Sequence, residues 1–309
     1  MKRLFFVLAA ILCLLLCGCS DIEVDSPSLS VVVTAFPHYD FARQLTKDVE
    51  NIEIKMLISP GNEIHSYEPS PSDVLALSSC DLFIYTGGES DVWAKGILEQ
   101  AQNKEMKVVS FMEICAPDGT ESHDHEDGHD HREEYDEHVW TLPVMSEAIC
   151  EEIARRLCEI SPENAEKYNA NLEEYLGKLG ELDREFSGIF QNAKRDYIVV
   201  ADRFPFYHLA THYKLKYFSA YSGCSSSTEP SAKVIASLAE KVKSDSLPYV
   251  FTIEFSNGKI ANSIISGTDT ATLTLHSCHN VSKEDFEGGV TYYDLMKQNA
   301  ENLRKALCE

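Results

Sequence analysis

The sequence predicts an α/β protein of two lobes, each a parallel sheet flanked by helices, joined by one long bridging helix. Three observations predict it. β-rich runs alternate with amphipathic segments of about ten residues through the first half, the pattern of βαβ units with a parallel sheet. The scheme recurs in the second half with similar order and size, and a single long helical signal lies between the two. At 309 residues the chain is long enough for each lobe to bury its own core, and 44% hydrophobic with 25% charged residues is a globular composition.

The first lobe is expected over residues 29–160, with strands at 29–36, 51–59, 81–86 and 106–114 and helices at 39–47, 70–79 and 90–103. The second is expected over 193–309, with strands at 196–201, 215–221, 249–254 and 270–276. Its helices are predicted at 205–213, 231–244, 259–265 and from 291 onward. Between them Ser161-Pro162-Glu163 supplies a cap, a first-turn proline and an acid beside it, a helix start. Ala165, Tyr168, Leu172, Tyr175, Leu179, Leu182, Phe186 and Ile189 then recur at steps of three and four. Within the linking segment 161–192, a helix from Pro162 to about Asn192 would be about 46 Å long at about 1.5 Å per residue. Its apolar stripe suits packing along both lobes, with a coiled coil as the alternative.

Met1-Lys2-Arg3, an apolar run from Leu4 to Leu16 and the small residues after it read as a signal peptide over 1–19. The run is shorter than the roughly 20 residues a spanning helix needs. Leu16-Cys17-Gly18-Cys19 resembles a bacterial lipobox, which makes Cys19 the expected lipidated residue. Residues 20–28 then form a polar tether, and the folded body sits on the outer face of the cell membrane. Fifty acidic residues against 27 basic give a net charge of −23, which excludes nucleic acid and electrostatic binding to anionic lipid. The same charge suits solubility, or enrichment of cations near the surface. Outside the leader seven cysteines remain, Cys80, Cys115, Cys150, Cys158, Cys224, Cys278 and Cys308, none in a C-x-x-C pair. That excludes a zinc ribbon or a thioredoxin-type site. Cys224 with Cys278 is the preferred disulfide, because both follow predicted strands of one half and the compartment permits oxidation.

The eleven histidines are uneven. His123, His125, His129 and His131 crowd a segment of Asp, Glu, Gly and Ser over 117–137 that cannot build a core and reads as a loop. Neutral imidazole is a good zinc ligand, so this loop can trap ions weakly, or it is a solvated acidic insert. More telling are histidines just after strands, because open parallel sheets bind ligands beyond their carboxyl ends. His65, His138, His276 and His279 occupy such places, and one site between the lobes could gather three or four of them.

At these residues the chain resembles the metal-binding subunits of bacterial ABC importers, the cluster A-I family, over nearly all of its mature length. Ala35-Phe-Pro-His-Tyr-Asp-Phe-Ala42 looks like the family's first strand and helix. Ile64-His-Ser-Tyr-Glu-Pro-Ser-Pro71 resembles its first-ligand motif, and Asp136-Glu-His-Val-Trp140 its second. An acidic His-rich loop between those motifs is typical of the zinc-uptake branch. The resemblance implies two α/β lobes bridged by a rigid helix, with His65 and His138 as ligands from the first lobe. Where zinc members place a third His and manganese members a Glu, this chain has Arg203, which carries no lone pair. The fourth position, a carboxylate in the family, aligns with His276, with His279 able to take the vacated place. His208 and His212 are further candidates, and Glu68 or Asp136 are expected to orient the imidazoles through their second ring nitrogens.

Three or four imidazoles suit tetrahedral zinc, whereas manganese favours oxygen ligands, so zinc is the expected ion and manganese or iron the lesser fit. The expected partner is the membrane permease of an ABC importer. A monomer is expected, with no organic small-molecule substrate. Two rivals stand beside this reading. A zinc-dependent extracellular enzyme could use an open coordination position, with Arg203 orienting an anionic substrate. The sequence has no H-E-x-x-H or G-x-S-x-G signature, and an enzyme is not expected. A surface adhesin with a structural metal fits a lipid anchor equally well.

Overall fold

The computed structural model describes residues 29–116, 136–221 and 229–309. Strand β1 (Leu29–Val33) shows how the first half is layered. Val31 and Val33 face the large central core, while Val32 faces a smaller cluster with Leu77, Phe83 and Ala94. A strand apolar on both faces belongs inside a parallel sheet covered by helices on both sides. With β2 (Ile52–Met56), β3 (Leu82–Tyr85) and β4 (Lys107–Ser110) it forms a four-stranded parallel sheet of order β2-β1-β3-β4. Helices α1 (Phe36–Leu45), α2 (Pro71–Ser79) and α3 (Val92–Glu99) make the crossovers.

A short helix α4 (Phe111–Cys115), then α5 (Pro143–Ile160) and α6 (Ala165–Gln191), lead to the second half. There β5 (Tyr197–Val200), α7 (Tyr207–Tyr213), β6 (Lys216–Ser219), α8 (Ala232–Ser244), β7 (Tyr249–Thr252), α9 (Lys259–Ile265) and β8 (Ala271–Thr274) repeat the plan. The sheet is again parallel, in the order β6-β5-β7-β8. In both sheets the chain reverses its direction of travel beside the first strand. Each sheet therefore opens a crevice at its carboxyl edge, where doubly wound sheets take ligands. Helices α10 (Lys283–Glu287) and α11 (Tyr292–Cys308) complete the chain.

The bridging helix α6 runs for 27 residues and buries Tyr168, Tyr175, Leu179, Leu182, Phe186 and Ile189. It packs on α1 and α5 from the first half and on α7 and α11 from the second. One continuous core results, in which Phe41 and Trp140 of the first half share a cluster with Phe206, Phe251 and Met296 of the second.

Three elements differ from the expectation. Helix α5 is absent from the spacing analysis, although Pro143 stands in its first turn and Ile149, Ile153 and Leu157 are buried at helical steps. The strand expected over 106–114 stops at Ser110, whose hydroxyl accepts the Glu113 N–H and caps α4. The strand expected over 270–276 stops at Thr274, which leaves His276 in the following loop. The expected loop 117–137 also ends in buried residues, since Glu137 is only 9% exposed.

Leu179 is fully buried at the middle of α6, within the core to which both halves contribute. Leu179→Ala should cost about 2–5 kcal/mol of stability, read as a lower midpoint in urea unfolding.

Candidate metal centre

Three imidazoles meet where the two crevices face each other. His65 comes from the loop after β2. His138 caps the 3-10 turn Val139–Thr141 that leads into α5, and His279 comes from the loop after β8. One ring nitrogen from each lies within 4.8 Å of the other two. The ring centroids stand 6.0 Å apart for His65 and His138, 5.4 Å for His65 and His279, and 4.4 Å for His138 and His279. Nε2 of His138 and Nε2 of His279 are shut off from solvent and have no hydrogen-bond partner among the described residues. A buried polar atom left unpaired costs about 1–3 kcal/mol. Two such atoms beside a third imidazole are accounted for by a cation that takes their lone pairs.

The hydrogen bonds on the other ring nitrogens set the tautomers. His138 Nδ1 lies 2.8 Å from Asp136 Oδ1, so Nδ1 carries the proton and donates it to the carboxylate, leaving the Nε2 lone pair inward. The backbone N–H of His138 donates to the same oxygen at 2.9 Å. Burial raises the Asp136 pKa, but the hydrogen bond and charge of His138 outweigh it and leave the carboxyl below its ordinary value. His279 Nδ1 lies 2.9 Å from Ser277 Oγ. The Ser277 hydroxyl in turn donates to Glu254, a carboxylate that also accepts the Ser277 N–H at 2.8 Å. With its proton committed to Glu254, Ser277 accepts from His279 Nδ1–H, and again Nε2 keeps the lone pair. The arrangement is the carboxylate–histidine pairing that orients metal ligands.

His65 Nδ1 stands 3.4 Å from Glu137 Oε1. The other Glu137 oxygen accepts the Ser90 N–H at 3.1 Å and the Ser90 hydroxyl at 2.9 Å. Gly88 leaves room for this carboxylate: a Cβ at position 88 would fall 2.3 Å from Glu137 Oε2 and 2.7 Å from Glu137 Cβ.

The loop that carries His279 is fastened to the first half on several sides. Its Ser277 carbonyl accepts from Trp140 Nε1–H at 2.9 Å, and its His279 carbonyl accepts from the Phe36 N–H at 3.3 Å. Asn280 Nδ2 donates to the Ser59 and Asn62 carbonyls at 2.8 and 2.9 Å, and the Gly61 N–H donates to the Val281 carbonyl at 2.8 Å. Cys278, fully buried, holds a left-handed φ of 61° between these contacts, a conformation that costs a non-glycine residue energy unless its surroundings enforce it.

Of the histidines singled out in the sequence, His65, His138 and His279 come together and His276 does not. Its backbone is clamped by Asn299, which accepts the His276 N–H at 2.6 Å and donates to its carbonyl at 2.8 Å. Its Nδ1 accepts the Cys278 N–H at 3.0 Å, with Glu254 3.8 Å away. Because β8 ends at Thr274, the residue that reaches the centre is three positions later than strand-end reasoning assigns. Glu68 is exposed, and Glu137 holds the place expected of it; Asp136 is where it was expected. His208 is buried on α7 and donates Nε2–H to the Asp136 carbonyl at 2.6 Å, supporting the His138 segment from the second half. His212 is exposed and packs its edge on Tyr213. His38, from the first motif, is a core residue stacked 4.2 Å from Phe111, and burial drives its pKa down to about 3. Cys278 has a free thiol that donates to the His276 carbonyl at 3.7 Å, in place of the expected disulfide. Cys224 lies outside the described residues, as do Cys19 and the four histidines of the acidic segment.

Glu137, Ser277 and Glu254 were not singled out in the sequence. Glu137 directly precedes His138 and Ser277 stands two residues before His279, and that nearness was the available signal. Beside the three rings lies a cleft of about 210 Å³ lined by Glu63, Arg203, Glu254 and Phe255 as well as His65 and His279. Arg203 Nη1 stands 3.5 Å from Glu63 Oε2 and its guanidinium 5.9 Å from the Tyr221 ring.

Comparison with known proteins identifies the family. The family described as zinc-uptake complex component A, periplasmic, matches residues 31–306. The zinc-binding lipoprotein AdcA of Streptococcus pneumoniae is 32% identical over 99% of this chain, which spans 61% of that protein's length. The high-affinity zinc uptake system protein ZnuA of Bacillus subtilis is 31% identical, over 98% of this chain and 97% of its own. The crystal structure of the Zn(II)-bound ZnuA-like domain of Streptococcus pneumoniae AdcA superposes with a TM-score of 0.75 at 28% identity, over 91% of this chain and 99% of that one. The chain belongs to the zinc-uptake complex component A family.

Proposed function

We propose that this chain is the solute-binding component of a zinc importer. It takes one zinc ion on His65, His138 and His279 and passes it to an ABC permease, while a lipid on Cys19 tethers it to the outer face of the cell membrane. The observation that carries the reading is the pair of sealed, unpartnered Nε2 atoms on His138 and His279 next to His65. Three neutral imidazoles suit tetrahedral zinc at about 2.0–2.1 Å, and a set without carboxylate oxygens is a poor one for manganese. The names of the relatives point the same way. The family is one of metal-binding solute-binding proteins, and in this reading the ion is the cargo.

Purified full chain should hold one tightly bound zinc, counted by mass spectrometry of the metal. His279→Ala should lose it, while His276→Ala should keep affinity within a few-fold; the reverse ranking would refute the assignment. Asp136→Asn keeps the shape but removes the carboxylate that orients His138, and should weaken zinc by about 10–100-fold in a chelator competition.

The pH dependence follows from the ring pKa values. Burial, helped by the neighbouring His138, holds His279 well below its ordinary 6.5, and burial holds His65 below it despite Glu137. A ring whose pKa is lowered stays neutral to a lower pH, so protons compete with the metal only below 6.5. Equilibrium dialysis should show zinc retained from neutrality down to that value and released beneath it. Release beginning above it would contradict the buried, neutral histidines.

A further inference from the structure

Among the described residues the three-histidine centre supplies three nitrogen donors to an ion that commonly takes four. Among the described residues the ligand group contains no carboxylate. Three of the acids around it are committed elsewhere: Asp136 to His138, Glu137 to His65 and Ser90, and Glu254 to Ser277. Tetrahedral zinc would therefore face the 210 Å³ cleft with an open site and with its double charge uncompensated by its ligands. The same cleft presents the guanidinium of Arg203, held by Glu63 at 3.5 Å. A permanent cation next to a bound cation is repulsive, unless an anion lies between them. Arginine presents a planar fork of donors that fits a carboxylate, and a carboxylate oxygen would complete the donor set that the described residues supply.

We infer that zinc is held in this cleft together with a small carboxylate-type anion, either bicarbonate or an organic carboxylate. One of its oxygens completes the coordination of the ion, and another accepts from Arg203. No bond is made or broken beyond coordination, and the anion offsets charge that three imidazoles cannot. Glu63 is the rival donor within the chain: it is exposed, lines the cleft, and accepts the His65 N–H at 3.3 Å. The inference rests on the three-histidine reading of the zinc site, and the test separates the two.

Zinc affinity of the full chain is measured by competition with a chromophoric chelator in carbonate-free buffer, then with millimolar bicarbonate or acetate at matched ionic strength. Either anion should tighten binding about tenfold or more, the scale of one charge-assisted contact. Bicarbonate alone acting would identify the inorganic source, and acetate acting would identify organic carboxylates. Arg203→Gln should abolish the gain, and Arg203→Lys, which keeps the charge but not the fork, should retain part of it. Indifference of the native chain to both anions overturns the inference, as does a gain that survives in Arg203→Gln. If, in addition, Glu63→Gln weakens zinc without any anion, the fourth donor is Glu63. A native affinity that His138→Ala leaves unchanged in every buffer overturns the three-histidine reading itself.

Discussion

The site depends on one crossing segment, residues 277–281, which leaves the second sheet and is hydrogen-bonded into the first half. Four of its backbone or side-chain groups find partners on Phe36, Ser59, Gly61, Asn62 and Trp140. A loop that bonded only to its own half could swing with that half, and the distance from His279 to His65 and His138 would vary with it. Fastened as it is, the loop holds the third imidazole against the other two before any ion arrives. The shared core reinforces this, because α6 and the cluster from Phe41 to Met296 join the halves through apolar packing. His208 adds a bond in the opposite direction, from α7 to the Asp136 carbonyl.

A preformed site must also hold its rings in the right protonation state, and here each ring has an acid behind it. Asp136 fixes His138 directly, Glu254 fixes His279 through Ser277, and Glu137 stands beside His65. The consequence for binding is that the Nε2 lone pairs of His138 and His279 are held free for a metal before it enters. The consequence for the empty protein is two buried nitrogens with no partner, a local instability that the ion removes. The three acids also place negative charge one layer behind neutral ligands, where it attracts a cation without coordinating it.

Much of this was legible in the residues. Alternating β-rich and amphipathic runs revealed the two sheets, and the three-and-four spacing from Ala165 to Ile189 revealed the bridge. His65, His138 and His279 stood out as histidines after strands. What failed was fine register. Taking the last strand to 276 favoured His276, yet the ladder with β7 ends at Thr274 and Asn299 captures the backbone of His276. Of the two acids expected to orient the imidazoles, Asp136 lies against His138 while Glu68 is exposed, and Glu137 stands beside His65 instead. Glu137 reaches His65 from a segment some seventy residues later, and the fit depends on the bare Cα of Gly88. Helix α5 was readable from Pro143 and from Ile149, Ile153 and Leu157 at helical steps.

X-ray absorption at the zinc edge of the loaded protein tests the central claim most directly. The account requires about three imidazole nitrogens at about 2.0–2.1 Å with a single oxygen completing a four-coordinate shell, and one imidazole fewer in His279→Ala but not in His276→Ala. A shell containing sulfur, a shell of oxygens, or an imidazole count that follows His276 would contradict it.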